Sequence, residues 1–249
     1  MKSLILCILC LVAVSVRAAD PAPADPNQGT ITLQTAMGTY LQGYAAGPQD
    51  AELGILILHD RWGLNETVRA WVERFAARGY RALAIDVFDG RISDKMWLAT
   101  EIMDATDPES VKVNVNAGLN YLAREREGRK LVTLGAGFGG WQSFQAAVAA
   151  PEKVAATVVI YGVLEANVDQ VRNLKAPVLT IFARDDEAIT AAMMDEYSQL
   201  LKKSLIIHRN YVFPAAHGFM DPLHPDYDAA VTEDVWSQVD DFLSGFVEG

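Results

Sequence analysis

Five apolar runs constrain what this chain can fold into: Leu53–His59, Tyr80–Ile85, Leu131–Ala136, Val154–Tyr161 and Pro177–Phe182. Each is short, and its apolar residues fall at successive positions. Alternation would mark a strand with one wet face. Continuous apolarity marks a strand covered on both faces, as in a parallel sheet. Thr30–Gln34, Tyr40–Tyr44 and Leu205–Phe213 read as further strands. Helical spacing lies between the runs. Val68, Trp71, Val72, Phe75 and Ala76 make one stripe closed by Gly79, and Val235, Trp236, Val239, Phe242, Leu243 and Phe246 make another. This alternation predicts an α/β fold: a doubly wound, mostly parallel sheet in a three-layer α/β/α sandwich. With 249 residues and 51 % of them hydrophobic, the chain suits one such domain over 30–249. It carries no internal repeat or second domain.

Residues 1–18 read as a signal peptide. Lys2 supplies the positive start, Leu4–Val16 the apolar stretch, and Val16-Arg17-Ala18 the processing site. The stretch is too short to span a bilayer, which takes about 20 apolar residues. Residues 19–29, with three prolines, read as a flexible leader. The expected address is the periplasm, with full secretion as second choice and no membrane association after processing. Both cysteines, Cys7 and Cys10, fall in the signal peptide. The mature chain can therefore form no disulfide and use no cysteine chemistry. The formal net charge of −11 becomes more negative once Lys2 and Arg17 are removed. That balance argues against nucleic acid or an anionic membrane as partner.

The chemistry centres on Leu131-Val-Thr-Leu-Gly-Ala-Gly-Phe-Gly-Gly-Trp141. An apolar strand runs into small-x-x-x-small and then a helix, the layout that presents a Ser or Cys nucleophile on a sharp elbow. Gly135 and Gly139 are the small flanks, and the nucleophile position is Gly137. The same residues match Gly-x-Gly-x-x-Gly, a dinucleotide fingerprint, which requires an acid closing the following strand. That strand ends in Tyr161-Gly162 instead, so a dinucleotide-dependent oxidoreductase is disfavoured. Ser143, nearly two turns into the helix, is expected to be buried or to point away.

Two further residues complete the constellation. Asp186 follows the strand ending Thr-Ile-Phe-Ala-Arg184, where an acid can orient a histidine. Asp185 beside it is a competitor, and either could simply cap the helix near Thr190. His217, on a small-residue loop before Gly218, is placed to act as general base. The order elbow, acid, histidine is that of the α/β-hydrolases. Asn65-Glu66-Thr67 matches a glycosylation sequon, and Asn65 equally suits a helix cap.

Together with Gly54-Ile-Leu-Ile-Leu-His-Asp-Arg-Trp-Gly-Leu-Asn65, Gly79-Tyr-Arg-Ala-Leu-Ala-Ile-Asp-Val-Phe-Asp-Gly-Arg91 and Ala216-His-Gly-Phe219, these features resemble the dienelactone hydrolase family over nearly all of the mature chain. The resemblance implies an α/β-hydrolase fold and a hydrolase of small esters or lactones, without metal or cofactor, using Cys or Ser, His and Asp. It assigns His217 and Asp186 to catalysis. It also places the family's acid, which partners the resting thiol, at Asp60. The backbone N–H groups of Phe138 and Arg61 would form the oxyanion hole. Arg91 and Trp62 are the candidates for substrate contact, with Trp97 and Trp141 as further pocket aromatics, although packing accounts for each tryptophan.

The departures are as specific as the matches. The nucleophile is Gly137, Asp60 is one methylene shorter than the usual glutamate, and an arginine expected after the histidine is Asp221. Water activated by His217 and Asp186 is the expected substitute nucleophile. Catalysis is expected to be weak or altered, and a non-catalytic protein binding a small ester or lactone is the competing expectation. Gly137→Cys or Gly137→Ser is expected to restore esterase activity if the hole is preorganised.

Overall fold

The computed structural model describes residues 28–162 and 168–247. The proposed signal peptide and nearly all of the leader lie outside them. One sheet holds β1 (Gly29–Gln34), β2 (Tyr40–Ala46), β3 (Leu53–Leu58), β4 (Arg81–Ile85), β5 (Lys130–Ala136), β6 (Val154–Ile160), β7 (Val178–Ala183) and β8 (His208–Phe213). Their spatial order is β1-β2-β4-β3-β5-β6-β7-β8. Only β2 runs against its neighbours β1 and β4, and the remaining pairs are parallel. The helices are α1 (Glu66–Ala76), α2 (Met96–Asp104), α3 (Pro108–Glu125), α4 (Phe138–Ala149), α5 (Val168–Val171), α6 (Ala191–Lys203) and α7 (Ala229–Ser244).

The chain steps from β3 to β4 in one direction and from β4 back past β3 to β5 in the other. Right-handed crossovers therefore send α1 to one face of the sheet and α3 to the opposite face. Helix α7 covers the same face as α1. Trp236 meets Trp71 and Phe75 edge-on at 5.3 and 5.6 Å, and Arg74–Glu233 and Arg78–Asp240 pair across the seam. On the other face α3 packs on α4, and Phe144 of α4 meets Tyr197 of α6 at 5.9 Å. Three layers result. All residues of β3, β4 and β7 are buried, as their continuous apolarity predicts.

Asn65 caps α1 by accepting from Val68 N, which gives the sequon asparagine a structural role. At the amino ends of the central strands, Arg81 Nε and Nη2 donate to Glu125 at 2.9 and 2.7 Å, and Arg129 Nη1 adds a third bond at 2.9 Å. The last strand is shorter than its apolar run. Leu205 turns at φ 59° out of α6 and lies exposed, so pairing starts only at His208.

Candidate active site

The crossovers that leave β3 and β5 depart to opposite faces, opening a crevice at the carboxyl ends of these adjacent strands, where ligands bind in such sheets. Asp60 and Gly137 emerge there. Gly137 sits at φ 52°, ψ −119°, a conformation strained for any residue with a side chain. Its N–H donates to Ile160 O at 3.0 Å, and its carbonyl accepts from Trp141 N as α4 begins. The turn is tight enough to require its flanking glycines. A Cβ at Gly135 would lie 2.2 Å from Gly139 O, and one at Gly139 would lie 2.0 Å from Leu58 O. The elbow is therefore intact, although its apex carries no attacking atom.

A different side chain fills the space. A Cβ built on Gly137 would meet Asp60 Oδ1 at 2.3 Å and Cγ and Oδ2 at 2.5 Å. Oδ1 accepts from Phe138 N at 2.9 Å and from Arg61 N at 2.7 Å. These are the two N–H groups assigned to the oxyanion hole, so a carboxylate oxygen of the protein itself occupies it. Oδ2 accepts no hydrogen bond among the described residues. His59 steadies the backbone behind Asp60. Its Nε2 accepts from Val87 N at 3.1 Å, so its Nδ1 is the donor to Asp60 O at 2.8 Å.

The acid–base pair comes from the other side of the crevice. His217 Nδ1 lies 2.9 Å from Asp186 Oδ2, and Asp186 Oδ1 accepts from Ala188 N and Ile189 N at 2.8 and 3.0 Å. Burial pushes the Asp186 carboxyl up, but the His217 hydrogen bond and charge and these N–H groups together hold it below its ordinary value. His217 Nε2 is buried and has no hydrogen-bond partner among the described residues. The competing acid, Asp185, pairs with Arg184 at the exposed surface.

A further residue of the site, Tyr161, has no motif to mark it in the sequence. It follows β6 at φ 34°, is fully buried, and places its ring 5.0 Å from His217. Burial and the charges of Asp60, Asp221 and Asp186 push its phenol well above the ordinary range, so it stays protonated. Its positive φ has no sequence signal beyond the neighbouring Gly162.

A cavity of about 250 Å³ opens above the elbow, walled by Arg61, Gly137, Phe138, Trp141, Tyr161 and His217. A narrow cleft lined by Asp60, Trp62, Tyr161 and Asp221 adjoins it. The cleft shares Trp62 and Asp221 with a second cavity of about 320 Å³, which is bounded by Ile92, Met96 and Leu223. Trp62 thus faces the second cavity and Trp141 the first, whereas Trp97 is exposed. Arg91 lines none of these spaces. It is exposed and donates from Nε to Phe88 O. Asp221 is buried, accepting from Thr67 Oγ1 and Leu223 N. Ser143 is also buried, held by Thr157 and Val158 O. Among the described residues no cluster of His, Cys, Asp and Glu could hold a metal ion.

The chain is similar to several known proteins. The chain is 28 % identical to a carboxymethylenebutenolidase homolog of Rattus norvegicus over 230 residues, covering 85 % of this chain and 90 % of that one. It is 26 % identical to the protein usf of Aquifex pyrophilus over 210 residues, covering 80 % and 91 %. A dienelactone hydrolase-like promiscuous phosphotriesterase from metagenomic libraries superposes with TM-score 0.76 at 21 % identity, covering 88 % of this chain and 99 % of that one. Thermogutta terrifontis esterase 2, solved after phosphorylation by paraoxon, gives TM-score 0.68 at 17 %, covering 91 % and 98 %. The structures share the fold. The dienelactone hydrolase family profile matches residues 41–247, most of the chain, and this protein belongs to that family.

Proposed function

We propose that this protein is an exported hydrolase of small, uncharged substrates in which His217 and Asp186 handle the proton of an attacking water. The supporting observation is the His217–Asp186 hydrogen bond, with Nε2 unpartnered among the described residues and His217 lining the cavity above the elbow. Uncharged substrates fit because the arginine expected after the histidine is replaced by Asp221 and Arg91 lies outside the cavity. Esters and lactones are the family's substrates. Turnover of them here is expected to be slow, since neither an elbow nucleophile nor an open oxyanion hole is provided. The catalysis of about 10³–10⁴-fold over water that survives loss of a triad member comes from the oxyanion hole and binding, so turnover here is expected to fall below it.

The occupied hole favours a second reading, a protein that binds a small lactone or ester without turning it over. Nitrophenyl acetate and simple lactones, assayed with the native protein and His217→Ala, separate the two. A His217-dependent rate supports hydrolysis. Equal rates in both proteins, with saturable lactone binding, support the second reading. Export predicts that the protein from the periplasmic or culture fraction begins at Ala19.

A further inference from the structure

We infer that the Asp60 carboxylate is the nucleophile of this site, and that its substrates are small alkyl compounds bearing an anionic leaving group, a primary alkyl halide being the simplest. The inference rests on the hydrolytic reading of His217 and Asp186 and adds to it the attacking atom and the substrate class.

Three observations converge. First, the Asp60 carboxylate lies within 2.5 Å of where the Cβ of an elbow nucleophile would be. Second, its two oxygens are in different states. Oδ1 is fixed by two backbone N–H groups, whereas Oδ2 makes no hydrogen bond among the described residues and is not among the buried polar atoms. Third, a histidine oriented by a buried acid, its Nε2 unpartnered among the described residues, lines the cavity that adjoins the Asp60 cleft.

The state of the oxyanion hole selects the chemistry. Attack on an acyl carbon puts negative charge on a substrate oxygen, and the N–H groups that would stabilise it are already engaged by Oδ1. Displacement at a tetrahedral carbon creates no such oxygen. Oδ2 bonds to the carbon as the carbon–halogen bond breaks, and the electron pair leaves with the halide. The halide departs into the neighbouring cavity, whose wall includes Arg61. The product of this step is an ester of Asp60 whose carbonyl oxygen, Oδ1, already sits in the hole. Water then adds to Cγ and gives its proton to His217 Nε2, while the charge developing on Oδ1 is stabilised by Phe138 N and Arg61 N. Collapse breaks the Cγ–Oδ2 bond, the alkoxide takes the proton from His217, and the carboxylate is regenerated. The sum is alkyl halide plus water giving alcohol, halide and a proton. The cavity of about 250 Å³ beside the Asp60 cleft suits an alkyl chain smaller than a drug-sized ligand.

The test uses 1-bromobutane with the purified protein. In ¹⁸O-water the first turnover should yield unlabelled butanol and place one ¹⁸O in the peptide containing Asp60. His217→Gln should release one bromide per protein and retain one butyl group on that peptide, because water can no longer be activated. Asp60→Asn, which keeps the side-chain volume and an oxygen acceptor, should lose bromide release. Labelled butanol with an unlabelled Asp60 peptide would overturn the inference. So would no bromide release alongside His217-dependent hydrolysis of nitrophenyl acetate, a result that leaves the hydrolytic reading standing. Failure of both substrates would remove both readings. The labelling arm needs only the native protein and decides the matter even if Asp60→Asn does not fold.

Discussion

At Gly137 and Asp60 the usual division of labour at an elbow is altered by a short-range exchange of volume. A carboxylate occupies the space that a nucleophilic side chain would need, so the two positions act as one. Restoring a hydroxyl alone is therefore expected to fail. Gly137→Ser drives Cβ into the Asp60 carboxylate, leaves Oδ1 in the hole and adds backbone strain of about 1–3 kcal/mol. Gly137→Ser with Asp60→Ala removes the clash and frees both N–H groups. Nitrophenyl acetate hydrolysis is expected to rise about 100-fold or more over the native protein only in the double variant, by the usual worth of oxyanion stabilisation. Equal gains in the single and double variants would contradict the geometry. The glycine at the nucleophile position was legible in the sequence because the elbow is a local pattern. Its occupation by Asp60 was not, because Asp60 arrives from an adjacent strand distant in sequence. Asp186 yields a second expectation at this scale. Its depressed carboxyl contributes stability that is present above the unfolded value of about 3.9 and is lost as pH falls through the folded one. Urea denaturation of the native protein and Asp186→Asn should show their stability difference shrinking below about pH 4. A difference constant from pH 7 to pH 3 would remove this linkage.

Among the elements, the parallel strands were legible almost to the residue because burial on both faces leaves no ambiguity of period. The end strand was overextended at Leu205–Ile207, where exposed apolar residues belong to the turn out of α6. Helix α4 shows no clear apolar stripe in the sequence, because its buried face against β5 and β6 includes Gly139, Gly140 and Ser143 beside Phe144. The arginines Arg81 and Arg129 also escaped notice, because a buried arginine is indistinguishable from a surface one until its partner is in place. That partner is Glu125, in the last turn of α3. Burial pushes its carboxyl up, but the two guanidinium groups hold it below its ordinary value. Glu125→Ala leaves two buried cations without their shared anion and is expected to cost about 3–5 kcal/mol in urea denaturation. A loss below 1 kcal/mol would show that solvent reaches the cluster.

For the whole molecule, the single sheet places two sets of groups on opposite sides of one crevice: Asp60 and Gly137 from the strands at the switch point, and Asp186 and His217 from the loops after β7 and β8. The acid–base pair could be read from chain order alone, whereas the connected cavities could not, since they depend on how loops 86–95 and 219–228 stand over the sheet. The acidic, cysteine-free mature chain proposed here also predicts indifference to reductant. Thermal unfolding with and without dithiothreitol should coincide, and a shift would show that Cys7 and Cys10 are retained and paired.

The bare α-carbon at the apex of the elbow affects how such a protein would be found. Fluorophosphonate and iodoacetamide reporters tag hydrolases by capturing an elbow oxygen or sulfur, and this elbow offers neither. Gel profiling with either reagent is expected to leave the mature protein unlabelled at concentrations that saturate a serine esterase of the same fold. Surveys of hydrolase content built on such reagents would therefore miss proteins of this design, and an electrophile reactive toward carboxylates would be needed to detect them.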